Sequence, residues 1–160
     1  MSTLTLEGLN ARLKNLEDIE EIRTLRMTYH TFINDRMFDR FPEIFTADAL
    51  VDFGHIGKAK GTNEIRELFF AIRDGVDVVK QFIHNHMVTV DGDDATGLSY
   101  LDARYARDGV SVMVAARFNE RYRRTPRGWK IAEMVVSLYF AAPLDKGWAA
   151  PQLDSIKPFK

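Results

Sequence analysis

The sequence contains no cysteine, which excludes disulfides, thiolate metal sites and thiol nucleophiles. It also has no excess of charge of one sign: 22 basic residues nearly balance 23 acidic ones, and the formal net charge is -1. A protein that binds nucleic acid through phosphates is normally far more basic. No apolar run approaches the roughly 20 residues that span a bilayer, and the first ten residues resemble no export signal. These absences predict a cytoplasmic protein that binds neither nucleic acid nor membrane.

What is present is the composition of a globular protein. The chain has 160 residues, of which 46% are hydrophobic and 28% are charged, the balance of one ordinary soluble domain. We expect a single domain over residues 1–148, followed by an irregular tail over residues 149–160.

The first third of the chain predicts a long amphipathic helix, because apolar residues recur at steps of three or four. Charged residues, among them Asp18 and Arg26, are predicted to fill the other faces. The pair Asn34-Asp35 marks the expected end of this helix. A second short helix is predicted to carry Phe38, Phe41 and Phe45. The stripe of the long helix consists of Leu6, Leu9, Leu13, Leu16, Ile19, Ile22, Leu25, Tyr29 and Phe32.

The rest of the chain predicts an antiparallel sheet. A short strand is expected at residues 50–53, and a third helix, capped by Thr62 or Asn63, ends near Asp74. Short turns then join four long segments rich in β-branched and aromatic residues, which predicts a meander. The long helix is expected to bury its stripe on this sheet and to leave a concave ligand site. The four predicted strands cover residues 80–90, 95–105, 110–122 and 129–140.

Several short runs resemble the SnoaL-like branch of the NTF2-like superfamily. They are Leu16 to Ile22, then Tyr29 and Asp39, and the segments 45–49, 90–95 and 128–131. The resemblance implies an α+β fold, a cone formed by a curved antiparallel sheet against a long N-terminal helix and two shorter helices. Such proteins include dehydratases, a dehydrochlorinase, isomerases, cyclases and non-catalytic subunits, so the fold does not settle the function.

The dehydratase and dehydrochlorinase members use a dyad of aspartate and histidine. In them an Asp five residues after the tyrosine that Tyr29 resembles orients a His, which removes a proton from the substrate. The corresponding positions here are Asn34 and Gln81. Asparagine carries no charge and glutamine is not a base, so either this catalysis is absent or other residues perform it.

Three residues are the candidate catalytic groups. Tyr29 is either a core aromatic or a pocket hydroxyl that acts as acid or base. Asp35 is either an exposed cap or a carboxylate that swings inward. His84 and His86 lie two apart and are expected to share one strand face, as an exposed pair or with His84 as general base. A metal site would need a third ligand, and none is expected.

Substrate binding is assigned to a wider set of polar and aromatic residues. Asp102 either pairs with Arg104 or Arg117 at the surface or points into the cavity. His30 and His55 are expected at the surface, with the rim of the pocket as the alternative for either. The basic run from Arg121 to Arg127 is expected to be solvated. The predicted substrate-binding residues are Asn34, Gln81, Phe53, Phe69, Phe82, Tyr100 and Asp102.

Two functions remain open. The first is a cofactor-independent lyase or isomerase acting on a hydrophobic cyclic or aromatic molecule, because no phosphate-binding glycine loop or metal motif is present. Dehydration and carbon–carbon cleavage are both compatible with it. The second is a non-catalytic ligand-binding or assembly module, which the missing dyad favours.

A homo-oligomer, a dimer or a trimer, is also predicted. Apolar strand residues exceed what the helices can cover, and related dehydratases associate through the sheet. The residues concerned are Val112, Val114, Val135 and Leu138.

Overall fold

The computed structural model describes residues 5–149. This part of the chain forms two α-helices, two short 3-10 helices and one six-stranded sheet. The predicted tail over residues 149–160 lies almost wholly outside the described residues. The α-helices are α1 (Leu6–Asn34) and α2 (Gly61–Asp74), and the 3-10 helices are Phe38–Glu43 and Gly54–Ile56. The strands are β1 (Phe45–Asp52), β2 (Lys58–Lys60), β3 (Val78–Asp91), β4 (Asp94–Arg107), β5 (Val110–Thr125) and β6 (Gly128–Pro143).

The sheet is a meander extended by two strands. Its order is β2-β1-β6-β5-β4-β3, and β3 to β6 pair antiparallel with their neighbours, as the short turns predict. The sheet is mixed rather than antiparallel throughout, because β1 pairs parallel with β6. A parallel neighbour requires a long connection, and residues 53–127, which include β2, α2 and the strands β3 to β5, supply it.

Helix α1 begins and ends at clear signals. The Thr5 hydroxyl accepts a hydrogen bond from the Gly8 N–H at 3.1 Å, which is an N-cap. The helix ends at Asn34 as predicted, and Arg36 follows with a left-handed backbone (φ 57°). No helix among residues 5–149 is long and apolar enough to cross a membrane.

Helix α1 packs on the sheet only from Asp18 onward, so the expectation for its whole stripe is wrong. Leu6, Leu9, Leu13 and Leu16 are 75%, 45%, 55% and 63% exposed. A helix of 29 residues is about 43 Å long and extends past the β5–β6 turn, where Glu21 accepts from the Trp129 N–H at 3.0 Å. The buried residues of the stripe are Ile22, Tyr29 and Phe32, and the neighbouring Ile33 is buried with them.

The segment after α1 differs in detail from its prediction. Phe38 and Phe41 lie in the first 3-10 helix, but Phe45 already begins β1, which is longer than the predicted strand. Helix α2 starts at Gly61 rather than after a Thr or Asn cap. The Glu64 carboxylate, one turn inside the helix, accepts from the Lys60 N–H at 2.9 Å and takes over the capping role.

The outer face of the sheet, opposite the helices, carries exposed aromatic and apolar residues. Tyr100 and Tyr139 stack there with ring centroids 6.4 Å apart, and Phe82 and Met87 are also exposed. Three of the four residues predicted for this surface lie elsewhere: Val114 and Leu138 line the cavity described below, and Val112 is buried. The outer face is apolar, but the exposed side chains that make it so are Phe82, Met87, Tyr100 and Tyr139 rather than most of the predicted valines and leucine.

We expect this outer face to join copies of the chain, because exposed apolar patches of this kind mark interfaces. Light scattering at micromolar concentration should show a dimer or trimer, and Tyr100→Glu should shift it toward the monomer. Met27→Glu, at an exposed position on α1, is the control and should leave the oligomer intact. A wild-type species of 18.3 kDa would contradict the prediction.

Candidate functional site

A cavity of about 100 Å³ lies between the helices and the inner face of the sheet. Helix α1 contributes Tyr29 and Ile33, and α2 contributes Phe69 and Ile72. Its wall is almost entirely apolar, with polar groups only on three of its residues. The lining residues are Tyr29, Ile33, Phe53, Ile56, Phe69, Ile72, Val76, Val79, Gln81, Leu101, Ala103, Tyr105, Val114, Ala116, Phe118, Val136 and Leu138.

Tyr29 lies on the cavity wall within a cluster of aromatic rings. Its ring meets Phe41, Phe69 and Phe118 edge-on, with centroids 5.4, 5.9 and 6.3 Å away. The residue is 1% exposed, and burial raises the pKa of its phenol. Tyr29 is therefore protonated at neutral pH and can donate a proton or a hydrogen bond. A catalytic role for it stays a prediction.

Asn34 and Gln81, at the positions of the dyad, are joined through the backbone of Gln81. The Asn34 Nδ2 donates to the Gln81 carbonyl at 2.9 Å, and the Gln81 N–H donates to Asn34 Oδ1 at 2.7 Å. Only an amide side chain makes both bonds, because a carboxylate has no donor. Asn34 thus fixes β3 to the end of α1, and the side chain of Gln81 is left to line the cavity.

His84 and His86 do not share a face, contrary to the prediction. Between the pairs His84↔Tyr100 and Met87↔Leu98, β3 has two residues where β4 has only Ser99. This bulge, with Asn85 in a left-handed conformation (φ 54°), reverses the alternation of side chains. His84 is exposed, and the His86 side chain points inward and is 8% exposed.

The other predicted site residues divide between the cavity and the surface. Phe53 and Phe69 line the cavity. Asp35 is exposed at the end of α1, where its backbone N–H bonds to Thr31. On β4 the odd-numbered residues face inward, so Tyr100 and Asp102 face outward, away from the cavity. Arg104 contacts two of these residues on the outer face. It forms an ion pair with Asp102 at 3.1 Å, and its guanidinium lies 5.8 Å from the ring centroid of exposed Phe82.

Beneath the cavity lies a buried group of polar residues that the sequence analysis did not bring together. The Arg26 guanidinium forms an ion pair with Glu120, and both side chains are fully buried. The Tyr122 hydroxyl donates to Glu120 Oε2 at 2.9 Å and lies 3.2 Å from His86 Nε2. We call this group the polar layer; it consists of Arg26, His30, His86, Ser99, Glu120 and Tyr122.

Two aromatic rings separate the polar layer from the cavity. The Arg26 guanidinium carbon lies 4.5 Å from the ring centroid of Tyr29 and 4.2 Å from that of Phe118, and both residues also line the cavity. These are cation–π contacts in a site without water-exposed surface. Arg26 therefore supports the floor of the cavity from behind.

Arg26 and Glu120 carry opposite charges within the polar layer. Burial raises the pKa of Glu120, but Arg26, His86 and Tyr122 outweigh burial and hold its pKa below the usual range. Burial, and then the charge of Arg26, lower the pKa of His30 to about 2, although the adjacent Gln81 side chain opposes this. Glu120 is thus ionised and His30 is neutral at physiological pH. The expectation that His30 lies at the surface is wrong.

Gly97 on β4 makes room for the polar layer. A Cβ at this position would lie 2.8 Å from the Tyr122 ring and 3.0 Å from both Glu120 Oε2 and His86 Nε2. Real side chains essentially never approach so closely, which explains a glycine in the interior of a strand.

The sequence did contain signals for these residues. Asp18, Ile22, Arg26 and His30 follow one another at four-residue steps, which places them on one helix face, although charge alone assigned Asp18 and Arg26 elsewhere. Asp18 accepts two bonds from Arg124, at 2.7 and 2.6 Å, and one from the Trp129 indole at 3.2 Å. Arg124, expected to be solvated, is therefore part of the contact between α1 and the sheet.

The residues of the described part of the chain include no cluster of three or more His, Asp or Glu side chains that could hold a metal ion. The catalytic trio predicted from the sequence is also not brought together. Tyr29 lies at the cavity, while His84 and Asp35 are exposed on other surfaces.

A helix-covered, curved sheet around a small apolar cavity defines the NTF2-like class of α+β proteins. Within that class the chain belongs to the SnoaL-like domain family, whose sequence model matches residues 14–135. Members of this fold include lyases and dehydratases.

The chain is also similar to individual proteins. The Mycobacterium tuberculosis protein Rv2910c is 28% identical over 129 residues, which covers 78% of this chain and 88% of that protein. An NTF2-like protein with a cystatin-like fold from Novosphingobium aromaticivorans is 28% identical with a TM-score of 0.69, covering 91% and 94% of the two chains. Hexachlorocyclohexane dehydrochlorinase LinA-type3 from Novosphingobium barchaimii is 19% identical with a TM-score of 0.78, covering 88% and 99%. The similarity to LinA-type3 shows the fold alone.

We expect the Arg26–Glu120 ion pair to contribute to the free energy of unfolding. Glu120→Ala leaves the fully buried Arg26 without a counter-charge, which should lower the free energy of unfolding by about 3–5 kcal/mol. The double variant Arg26→Met with Glu120→Gln, which removes both charges, should recover most of that loss. Denaturant unfolding of wild type, Arg26→Met, Glu120→Gln and the variant that combines these two substitutions measures the coupling. Additive losses in this cycle would show that the pair is not coupled.

Proposed function

We propose that this protein binds a small, uncharged and mainly hydrophobic ring compound in its cavity. The composition of the wall carries the proposal: among the described lining residues none bears a carboxylate, an ammonium or a guanidinium group. A charged ligand would lose its water there without gaining a partner of opposite charge. An apolar ring gains from leaving water.

The volume of the cavity sets the scale of the ligand. At about 100 Å³ the cavity is smaller than an engineered cavity of roughly 150 Å³ that stays dry and binds benzene. A single five- or six-membered ring is therefore the expected size. A larger ring system would require lining side chains such as Ile56 and Ile72 to move.

Filling the cavity tests this proposal directly. Cyclopentane or benzene should give saturable NMR shift changes in the wild type and raise its melting temperature, because a ligand that binds only the folded state stabilises it. Val114→Phe places a ring in the cavity and should abolish both effects. Val110→Phe, the same substitution at an exposed position of β5, is the matched control and should bind like wild type.

The proposal fails on either of two results. Wild-type protein that shows no saturable response to either probe would have no functional cavity. Unchanged binding in the Val114→Phe variant would place the probe at another site.

A lyase or isomerase that moves a proton without a cofactor is the second candidate function. It is favoured by Tyr29, a protonated phenol on the wall that could act as general acid, and by the enzymes that share this fold. Such a reaction also needs a base. The lining residues within 5–149 supply none that is ionised or basic at neutral pH, which is why we place ligand binding first.

Restoring the family dyad separates the two functions. Asn34→Asp with Gln81→His supplies an aspartate and a histidine at the cavity, and proton abstraction should appear only in this double variant. Dehydration, isomerisation and retro-aldol cleavage of phenolic and steroid-like compounds are the reactions to screen. Tyr29→Phe, made separately, should leave cyclopentane binding in place. Turnover by the wild type that falls about 10²–10⁴-fold in Tyr29→Phe would instead establish catalysis.

A further inference from the structure

Gln81 is the one side-chain amide on the described wall of the cavity. Its position is fixed from the backbone, because Asn34 bonds to both its N–H and its carbonyl. Strand alternation then directs the side chain inward together with Val79, which also lines the cavity. Since the two bonds involve only backbone atoms of Gln81, they survive a change of its side chain.

The amide of Gln81 has a buried end and an end left for the cavity. Its Oε1 is buried without a hydrogen bond of normal geometry, and the imidazole of His30 lies beside the same side chain. The oxygen and the NH₂ group of an amide diverge from one carbon. With Oε1 turned into the protein, the NH₂ group is the part of Gln81 that faces the cavity, and it is a donor.

Tyr29 adds a second donor on the same wall. Burial keeps its phenol protonated, so its hydroxyl can donate. The positive charge behind Tyr29 does not call for an anionic ligand, because Arg26 is already paired with Glu120. The wall thus presents hydrogen-bond donors in an environment that is neutral overall.

We propose that the ligand is an uncharged carbonyl compound of one small ring, a cyclic ketone or aldehyde. Its oxygen accepts hydrogen bonds from Gln81 Nε2 and the Tyr29 hydroxyl, while its ring fills the apolar part of the cavity. To pair its own hydroxyl hydrogen, an alcohol of the same shape would have to use Tyr29 as an acceptor and give up that donor, and a carboxylate brings an uncompensated charge. This inference rests on the proposed function and names the class of ligand for that cavity.

The test compares four probes of one shape: cyclopentanone, methylenecyclopentane, cyclopentanol and cyclopentanecarboxylate. Wild type should bind cyclopentanone about tenfold more tightly than methylenecyclopentane, which corresponds to the usual net contribution of a hydrogen bond. Infrared difference spectra of ¹³C-labelled cyclopentanone should show its carbonyl stretch at lower frequency when bound than in hexane.

Gln81→Leu and Tyr29→Phe remove one donor each and retain the apolar wall. In both variants the preference for the ketone should fall and the carbonyl frequency should move back toward its value in hexane. Binding of methylenecyclopentane should persist, which also shows that the variants fold. Tyr139→Phe, on the outer face, is the control for a lost tyrosine hydroxyl and should change neither measurement.

The outcomes separate this inference from the function on which it rests. Equal wild-type binding of the three uncharged probes would overturn the carbonyl assignment and leave the binding function standing. Preference for the alcohol or the carboxylate, or a carbonyl frequency unchanged in Gln81→Leu and Tyr29→Phe, would also overturn it. If none of the probes binds to wild type, the proposed function fails together with the inference.

Discussion

The ion pair between Arg26 and Glu120 is the contact on which the arrangement of α1 depends. Both side chains are fully buried, so separating them would leave a charge without water or partner, at a cost of several kcal/mol. A helix with a purely apolar face can shift or rotate slightly on a sheet at little cost in free energy. The Arg26–Glu120 ion pair, by contrast, fixes the position and the rotation of α1 relative to β5. Tyr29, His30 and Ile33 take their places on the sheet as a consequence.

The same pair explains how a charged group can lie under a hydrophobic cavity. Arg26 contacts the rings of Tyr29 and Phe118 and forms an ion pair with Glu120. The carboxylate of Glu120 therefore compensates the positive charge that lies behind the cavity wall. His30, next to Arg26, stays neutral because its pKa is so low. The cavity therefore lies over a buried ion pair, and its own wall remains almost entirely apolar.

The sequence was sufficient for most of the fold, since turn clusters separate the four long strands and Asn34-Asp35 ends the helix. It was insufficient where side-chain direction depends on tertiary contacts. Charge placed Arg26 and Asp18 on the solvent face, yet each finds an opposite charge on the sheet. Simple alternation placed His84 and His86 together, because a bulge cannot be recognised from one sequence. For Asp102 the sequence left both a surface and a cavity position possible. Only the structure shows that even-numbered residues of β4 face outward, where Asp102 pairs with Arg104.

The bulge at Asn85 divides β3 into two parts, and the alternation of inward and outward side chains is reversed between them. Before it, odd-numbered residues such as Val79 and Gln81 face inward; after it, even-numbered ones such as His86 and Val88 do. One strand can thus serve the apolar cavity with its first half and the polar layer with its second. Each half therefore presents its own set of inward side chains. A single inserted or deleted residue at this point, however, would exchange the inner and outer faces of one entire half.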